Sequence, residues 1–106
     1  MTVQELKTEL ELKTSYRWAH FAWSHAPEES YGVISEDLAV ARWSDNHKEV
    51  ERLQLTVDLF VMDDTGAGKA AVETVFDSMD IGYSLDSVLY ESETGYLHYT
   101  WEVSIA

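Results

Sequence analysis

RLQLTVDLFVM, residues 52–62, places Leu53, Leu55, Val57, Leu59 and Val61 at every second position, against Arg52, Gln54, Thr56 and Asp58 between them. Side chains along an extended chain point alternately to opposite faces, so this pattern predicts a strand with one buried and one wet face. Phe60 and Met62 break the polar side, and that end of the strand is expected to be covered. Asp63, Asp64, Thr65, Gly66 and Gly68 then read as a turn. After them Ala71, Val72, Val75, Phe76 and Met79 recur at helical spacing up to Gly82, a stop signal. The stretch therefore predicts a strand, an amphipathic helix and a return to the sheet.

Downstream, Tyr83 to Glu91 and Tyr96 to Ile105 flank the turn-like Ser92-Glu93-Thr94-Gly95. Leu97, Tyr99, Trp101, Val103 and Ile105 share one face of the second run, so a C-terminal hairpin with Trp101 in the core is expected. Upstream, Tyr31 and Val33 share one parity and Leu38 and Val40 the other, which requires a bulge or bend near Ser35 to Asp37. The polar run Ser44 to Lys48 reads as a loop or hairpin tip, and YRWAHFAW, residues 16–23, as an aromatic strand. At the N-terminus Thr2 and Glu5 fit a capping box ahead of Val3, Leu6 and Leu10, predicting a helix over 3–13 whose other face, with Glu5, Glu9 and Lys13, is solvated. The resulting order is α-β-β-β-α-β-β. It defines one α+β domain spanning 1–106, a mixed or mostly antiparallel sheet of about five strands packed against two helices.

A chain of 106 residues has room for one core, and its 45% hydrophobic content is that of a packed domain. It contains no cysteine, so disulfides and thiolate metal sites are excluded. Residues 1–14 lack the basic start and apolar run of a signal peptide, and no segment approaches membrane-spanning length, so a soluble protein made in the cytoplasm is expected. Twenty acidic against seven basic residues give a formal charge of −13, which repels nucleic-acid backbones and anionic membranes. Such a surface can let nucleic acid pass without sticking, can imitate it, or can simply keep a protein soluble.

Catalytic signatures are missing. Gly66-Ala67-Gly68-Lys69-Ala70 has the look of a phosphate-binding loop, but Asp63 stands where that motif needs glycine and Ala70 where it needs Ser or Thr. A flexible helix entry explains it better. His20, His25, His47 and His98 fall on different predicted elements without metal-ligand spacing. Asp63 and Asp64 suggest a nuclease-like ion site, yet only Lys69 is near to attract a polyanion, and turn formation with helix N-terminal charge accounts for both acids. No serine lies in a nucleophile elbow. No catalytic residue, cofactor or metal is expected. Four tryptophans, Trp18, Trp23, Trp43 and Trp101, exceed what so small a core readily buries, so one or two are expected at an interface or beneath the N-terminal helix.

Taken together, the helix, the aromatic strand YRWAHFAW, the extended YGVISEDLAV, the polar tip ARWSDNHKEVER, the long strand LQLTVDLFVMDD, the second helix and the closing SVLYESETGYLHYTWEVSI resemble the small tail terminator (tail-to-head joining) proteins of long-tailed bacteriophages. The resemblance covers nearly the whole chain and rests on order and pattern. It implies a virion structural protein of the neck, assembled in the host cytoplasm: a hexameric ring that caps the tail tube protein and docks to a head-closure or connector protein while DNA passes through. Carboxylates lining such a channel would repel the duplex. A closed ring needs two different patches per subunit, for which Trp18, Phe21 and Trp23 in the first strand and Arg42 and Trp43 at the tip are the candidates. The alternatives are an acidic nucleic-acid mimic that inhibits a DNA-binding enzyme, a neighbouring neck protein (head-closure or adaptor), and a small hydrolase using Asp63, Asp64 and a histidine.

Overall fold

The central hairpin of the sheet is built from β2, Tyr31–Ser44, and β3, His47–Val61, antiparallel from Tyr31 opposite Phe60 to Ser44 opposite His47. The computed structural model describes residues 1–23, 29–44, 47–62 and 65–105, with the side chains of all these except 38–44 and 47–52. Around the hairpin lie α1 (Val3–Lys13), β1 (Arg17–His20), α2 (Ala67–Ser78), β4 (Gly82–Glu91) and β5 (Tyr96–Ile105). The strands stand in the order β1-β2-β3-β5-β4, with only β1 and β2 parallel. This is the expected α+β architecture: two helices against a five-stranded mixed sheet, in the order α-β-β-β-α-β-β.

The alternation in β3 does what it predicts. Leu55, Val57 and Leu59 are fully buried, and the same face of β5 contributes Tyr99, Trp101, Val103 and Ile105. The helices complete the core with Val3, Leu6 and Leu10 from α1 and Val72, Val75 and Phe76 from α2. Each fully buried large aliphatic or aromatic side chain contributes on the order of 1.5–3 kcal/mol. α1 begins as expected, the Glu5 amide donating to Thr2 Oγ1 at 3.1 Å and the Thr2 hydroxyl to the Glu5 carboxylate at 3.3 Å. α2 approaches β3 closely because Gly68 has no side chain: a Cβ there would lie 2.6 Å from Tyr16 Oη and 3.1 Å from Val61 Cγ1.

Several boundaries differ from the sequence reading, each for a local reason. The aromatic strand expected over 16–23 is paired only from Arg17 to His20, because Phe21 turns left-handed (φ 75°) and its amide makes the last bond of the edge, to Ile34 O at 2.7 Å. The bulge expected near Ser35 to Asp37 is present between Glu36 and Leu38, and a second shift falls between Val40 and Ala41. The tip is narrower than Ser44 to Lys48: Ser44, His47 and Lys48 belong to the ladder, and residues 45–46 lie outside the described residues. α2 starts at Ala67, capped by Gly66, so part of the expected turn is helix. Its stop is not Gly82, which already opens β4. Asp80 takes the left-handed position (φ 56°), and the Ile81 amide returns to Phe76 O at 3.0 Å and the Asp80 amide to Asp77 O at 3.3 Å, a Schellman closure.

From Val40 to Ser44 and from His47 to Arg52 the two long strands pair with each other and, among the described residues, with no third strand, since the β5 ladder begins at Leu53 opposite Ile105. At about 3.3 Å per residue this arm projects roughly 20 Å beyond the sheet. It helps stretch the molecule to 52 × 27 × 22 Å.

Candidate interaction surfaces

Trp18, one of the five interface candidates in the sequence, is buried within the subunit, beneath the end of α1. Its ring lies flat over Gly32 with only 2% of its surface exposed, and its indole N–H donates to Thr14 Oγ1 at 3.0 Å. The Thr14 hydroxyl in turn donates to Leu10 O, so the last turn of α1 and the first strand are stitched together through one buried threonine. Strand parity alone offered Trp18 and Trp23 as equals; the α1 packing decides between them. Trp23, just past β1, is half-buried: its indole N–H donates to Gly32 O at 3.2 Å and the Arg17 guanidinium sits 5.4 Å above its ring. Phe21 is 57% exposed and stacked on His20 at 4.2 Å. Arg42 and Trp43 stand in the arm ladder opposite Glu49 and Lys48, and their side chains lie outside the described residues.

An aromatic row on the sheet face away from the helices is hardly visible in the sequence. Tyr31, Phe60 and His98 occupy one cross-strand row of β2, β3 and β5, stacked at 4.8 Å and 4.0 Å, with Tyr96 edge-on to Tyr31 at 5.6 Å. The only sequence signal was Phe60 on a polar parity; its expected cover is this row, while Met62 stays exposed. Burial, with the nearby Tyr96 and the Glu91 carboxylate, pushes the Tyr31 hydroxyl above the usual tyrosine range.

Beside this row Asp58, His98 and Thr100 form a hydrogen-bonded cluster. The imidazole Nε2 lies 2.7 Å from Asp58 Oδ1, and the Thr100 hydroxyl donates to the same carboxylate oxygen at 3.0 Å. A catalytic relay needs hydroxyl and carboxylate on opposite nitrogens of the ring. Here both address Nε2, the hydroxyl proton is committed to Asp58, and Nδ1 faces Glu91 at 3.7 Å. The arrangement braces the sheet and activates no nucleophile.

The loop before α2 is likewise no phosphate cradle. The Lys69 ammonium lies 2.9 Å from Glu73 Oε1, and the other oxygen of Glu73 accepts the Trp101 indole N–H at 3.0 Å. Burial alone would raise the Glu73 carboxyl, but the bonds from Trp101 and Lys69 and the lysine charge outweigh it and hold the group below the usual glutamate range. Asp63, Asp64 and His25 lie outside the described residues, as does the His47 side chain. His20 pairs with Glu36 at 3.2 Å, far in the sheet order from the strand carrying His98. Among the described residues no group of three His, Asp or Glu side chains is placed to hold a metal ion, and no helix is long and apolar enough to cross a membrane. A cleft of about 590 Å³ runs between the outer flank of α1 and the end of α2, lined by Gln4, Glu5, Thr8, Glu9, Lys13, Ser78 and Met79; it gathers no histidine.

What the fold leaves open is its strand edges. β4 is the last strand of the sheet, and Leu85, Val88, Leu89 and Tyr90 on it are exposed. At the other side β1 covers β2 only as far as Ile34. Among the described residues the fold thus presents two unlike edges, a projecting arm and a half-buried aromatic face. No protein-family model matches the sequence, and no match to it is found among curated proteins.

Proposed function

We propose that this chain is a ring-forming structural protein of a bacteriophage neck, a tail terminator that caps the tail tube and joins it to the head connector. The observation that carries the reading is the pair of unlike open edges, β4 on one side of the sheet and β2 with its arm on the other. A ring needs a head-to-tail contact between two different patches of the same subunit, and a molecule with two unlike free edges meets that need. The formal charge of −13 suits a wall past which a duplex must slide, since phosphates are repelled at every approach. In this reading the protein performs no catalysis and needs no cofactor. Its partners are copies of itself, the tail tube protein and a head-closure or connector protein, at the head-tail junction of the virion.

The test is electron microscopy of the purified protein mixed with tail-tube assembly products. A ring seated at one tube end is the expected result. Binding to head-side connectors alone would move the protein elsewhere in the neck, to a head-closure or adaptor role. Indifference to both would sink the phage reading in favour of an acidic nucleic-acid mimic, recognised by salt-sensitive binding to a basic DNA-binding protein that duplex DNA competes away.

A further inference from the structure

We infer that copies of this chain join by antiparallel strand addition, the outer edge of β4 in one copy pairing with the outer edge of β2, from Ser35 to Ser44, in the next. The inference rests on the ring in the reading above and not on its place in a virion.

Length is the first argument. β2 has 14 residues, of which β1 pairs with the four from Tyr31 to Ile34; among the described residues the remaining ten have no neighbouring strand on that side. β4 has 10 residues, paired inward to β5 and, among the described residues, to no strand outward. The left-handed turn at Phe21 is what clears the β2 edge, since it diverts the chain just where β1 would otherwise continue alongside Ser35. A neighbour's β4 would follow on from β1 in the same strand position.

Direction is the second. β2 is antiparallel to β3, β3 to β5 and β5 to β4, so β4 runs opposite to β2. A copy rotated about an axis along the strands keeps its β2 in the original direction and lays it beside the first copy's β4 as an antiparallel pair. Pairing β4 with β4 would require turning the second copy over, and gives a closed dimer instead of a ring.

Chemistry is the third. β4 exposes Leu85, Val88, Leu89 and Tyr90 and carries the acids Asp86 and Glu91. The β2 edge from Ser35 to Ser44 reads SEDLAVARWS: it opens with the acids Glu36 and Asp37 and then runs through the mostly apolar LAVARW, whose one charge is the cation Arg42. Across the whole arm, 39–52, Arg42, Lys48 and Arg52 balance Asp45, Glu49 and Glu51, so the full −13 resides on the rest of the chain. The arm is thus the part that an acidic second copy repels least.

The chain has no cysteine, so crosslinking can be aimed. With the two ten-residue edges fully overlapped, Ala39 lies near Ser87 of the next copy. Ala39→Cys and Ser87→Cys are prepared separately and treated with a short bismaleimide, alone and mixed, after circular dichroism has established that both fold. The expected result is a covalent dimer from the mixture and none from either variant alone. Sedimentation of the wild type at millimolar concentration is expected to give species heavier than the monomer, and Leu89→Asp, which sets a carboxylate opposite Asp37 in that register, is expected to weaken association at least roughly tenfold. Crosslinking by Ser87→Cys alone, no crosslink in the mixture, or a wild type that stays monomeric throughout would each overturn the inference. A protein that crosslinks as expected yet ignores tail tubes keeps the edge pairing and loses the terminator role; one that seats on tubes without the crosslink does the reverse.

Discussion

Replacing Gly32 by alanine tests whether the close approach of Trp18 to β2 holds the first strand in place. In most strand interiors Gly→Ala is neutral or stabilising, by roughly 0.5–1 kcal/mol, because it restricts the unfolded chain. At Gly32 the sign is reversed. The new methyl would stand 2.2 Å from Trp18 Cζ3, 2.3 Å from Cε3 and 2.6 Å from Cη2, where ordinary contact needs well over 3 Å. The ring must therefore move by about an ångström, yet it is buried and held by Thr14. Overpacking of this kind costs about 1–3 kcal/mol, and losing the indole bond adds about 1 kcal/mol. A destabilisation of about 2–4 kcal/mol follows, which for a domain of this size lowers Tm by roughly 10–20 °C. The assay is thermal unfolding followed by near-ultraviolet circular dichroism, at one protein concentration so that assembly contributes equally. The decisive comparison is a double-mutant cycle with Trp18→Leu: without the ring, Gly32→Ala should cost at least about 1 kcal/mol less. Strictly additive costs, or a Gly32→Ala protein as stable as the wild type, would refute the reasoning.

The same stitch predicts that Thr14→Val, which strands the buried Trp18 N–H, lowers the urea unfolding free energy by about 1–3 kcal/mol, whereas Thr14→Ser keeps most of it. Glu73→Gln should destabilise the fold at pH 7. Because the Glu73 carboxyl is held below its ordinary value of 4.5, its contribution is complete above the unfolded pKa and disappears as pH falls through the lower folded one. Melting curves of the two proteins should accordingly converge in acid; a constant gap from pH 7 to pH 3 would contradict the assignment. Asp80→Gly relieves a left-handed non-glycine residue in the cap of α2 and should raise stability by roughly 0.5–1 kcal/mol, read from the urea midpoint.

How far the sequence reveals this fold depends on how one-sided each element is. β3 and β5 bury one face against helices, so their period of two is plain in Leu53 to Val61 and Leu97 to Ile105. Among the described residues the arm has no such neighbour. With no third strand beside it, Ser44, His47 and Lys48 show no apolar alternation, and a polar strand reads as a loop. β1 ends early through a backbone angle at Phe21, which no pattern of side chains announces. The Tyr31–Phe60–His98 row draws one residue from each of three strands, so only the register assembles it. The candidate surface was legible in part. Phe21 stands exposed, Trp23 half-covered, and Trp18 went inward because the α1 terminus offered its indole a hydroxyl. The β4 edge was missed: Leu85, Val88, Leu89 and Tyr90 look like any hairpin strand until the sheet order puts them outermost.

The position of β5 between β3 and β4 also sets a schedule for synthesis. Strand β3, the helix that follows it and β4 are all made before Tyr96–Ile105, yet β3 and β4 are not neighbours in the sheet and are joined in it by that later strand. Until it arrives, the apolar side of β3 lacks the partner that carries Trp101, and β4 has neither edge paired. The sheet therefore closes only once Tyr96–Ile105 has been made, and chains interrupted before Tyr96 should be insoluble instead of partly folded.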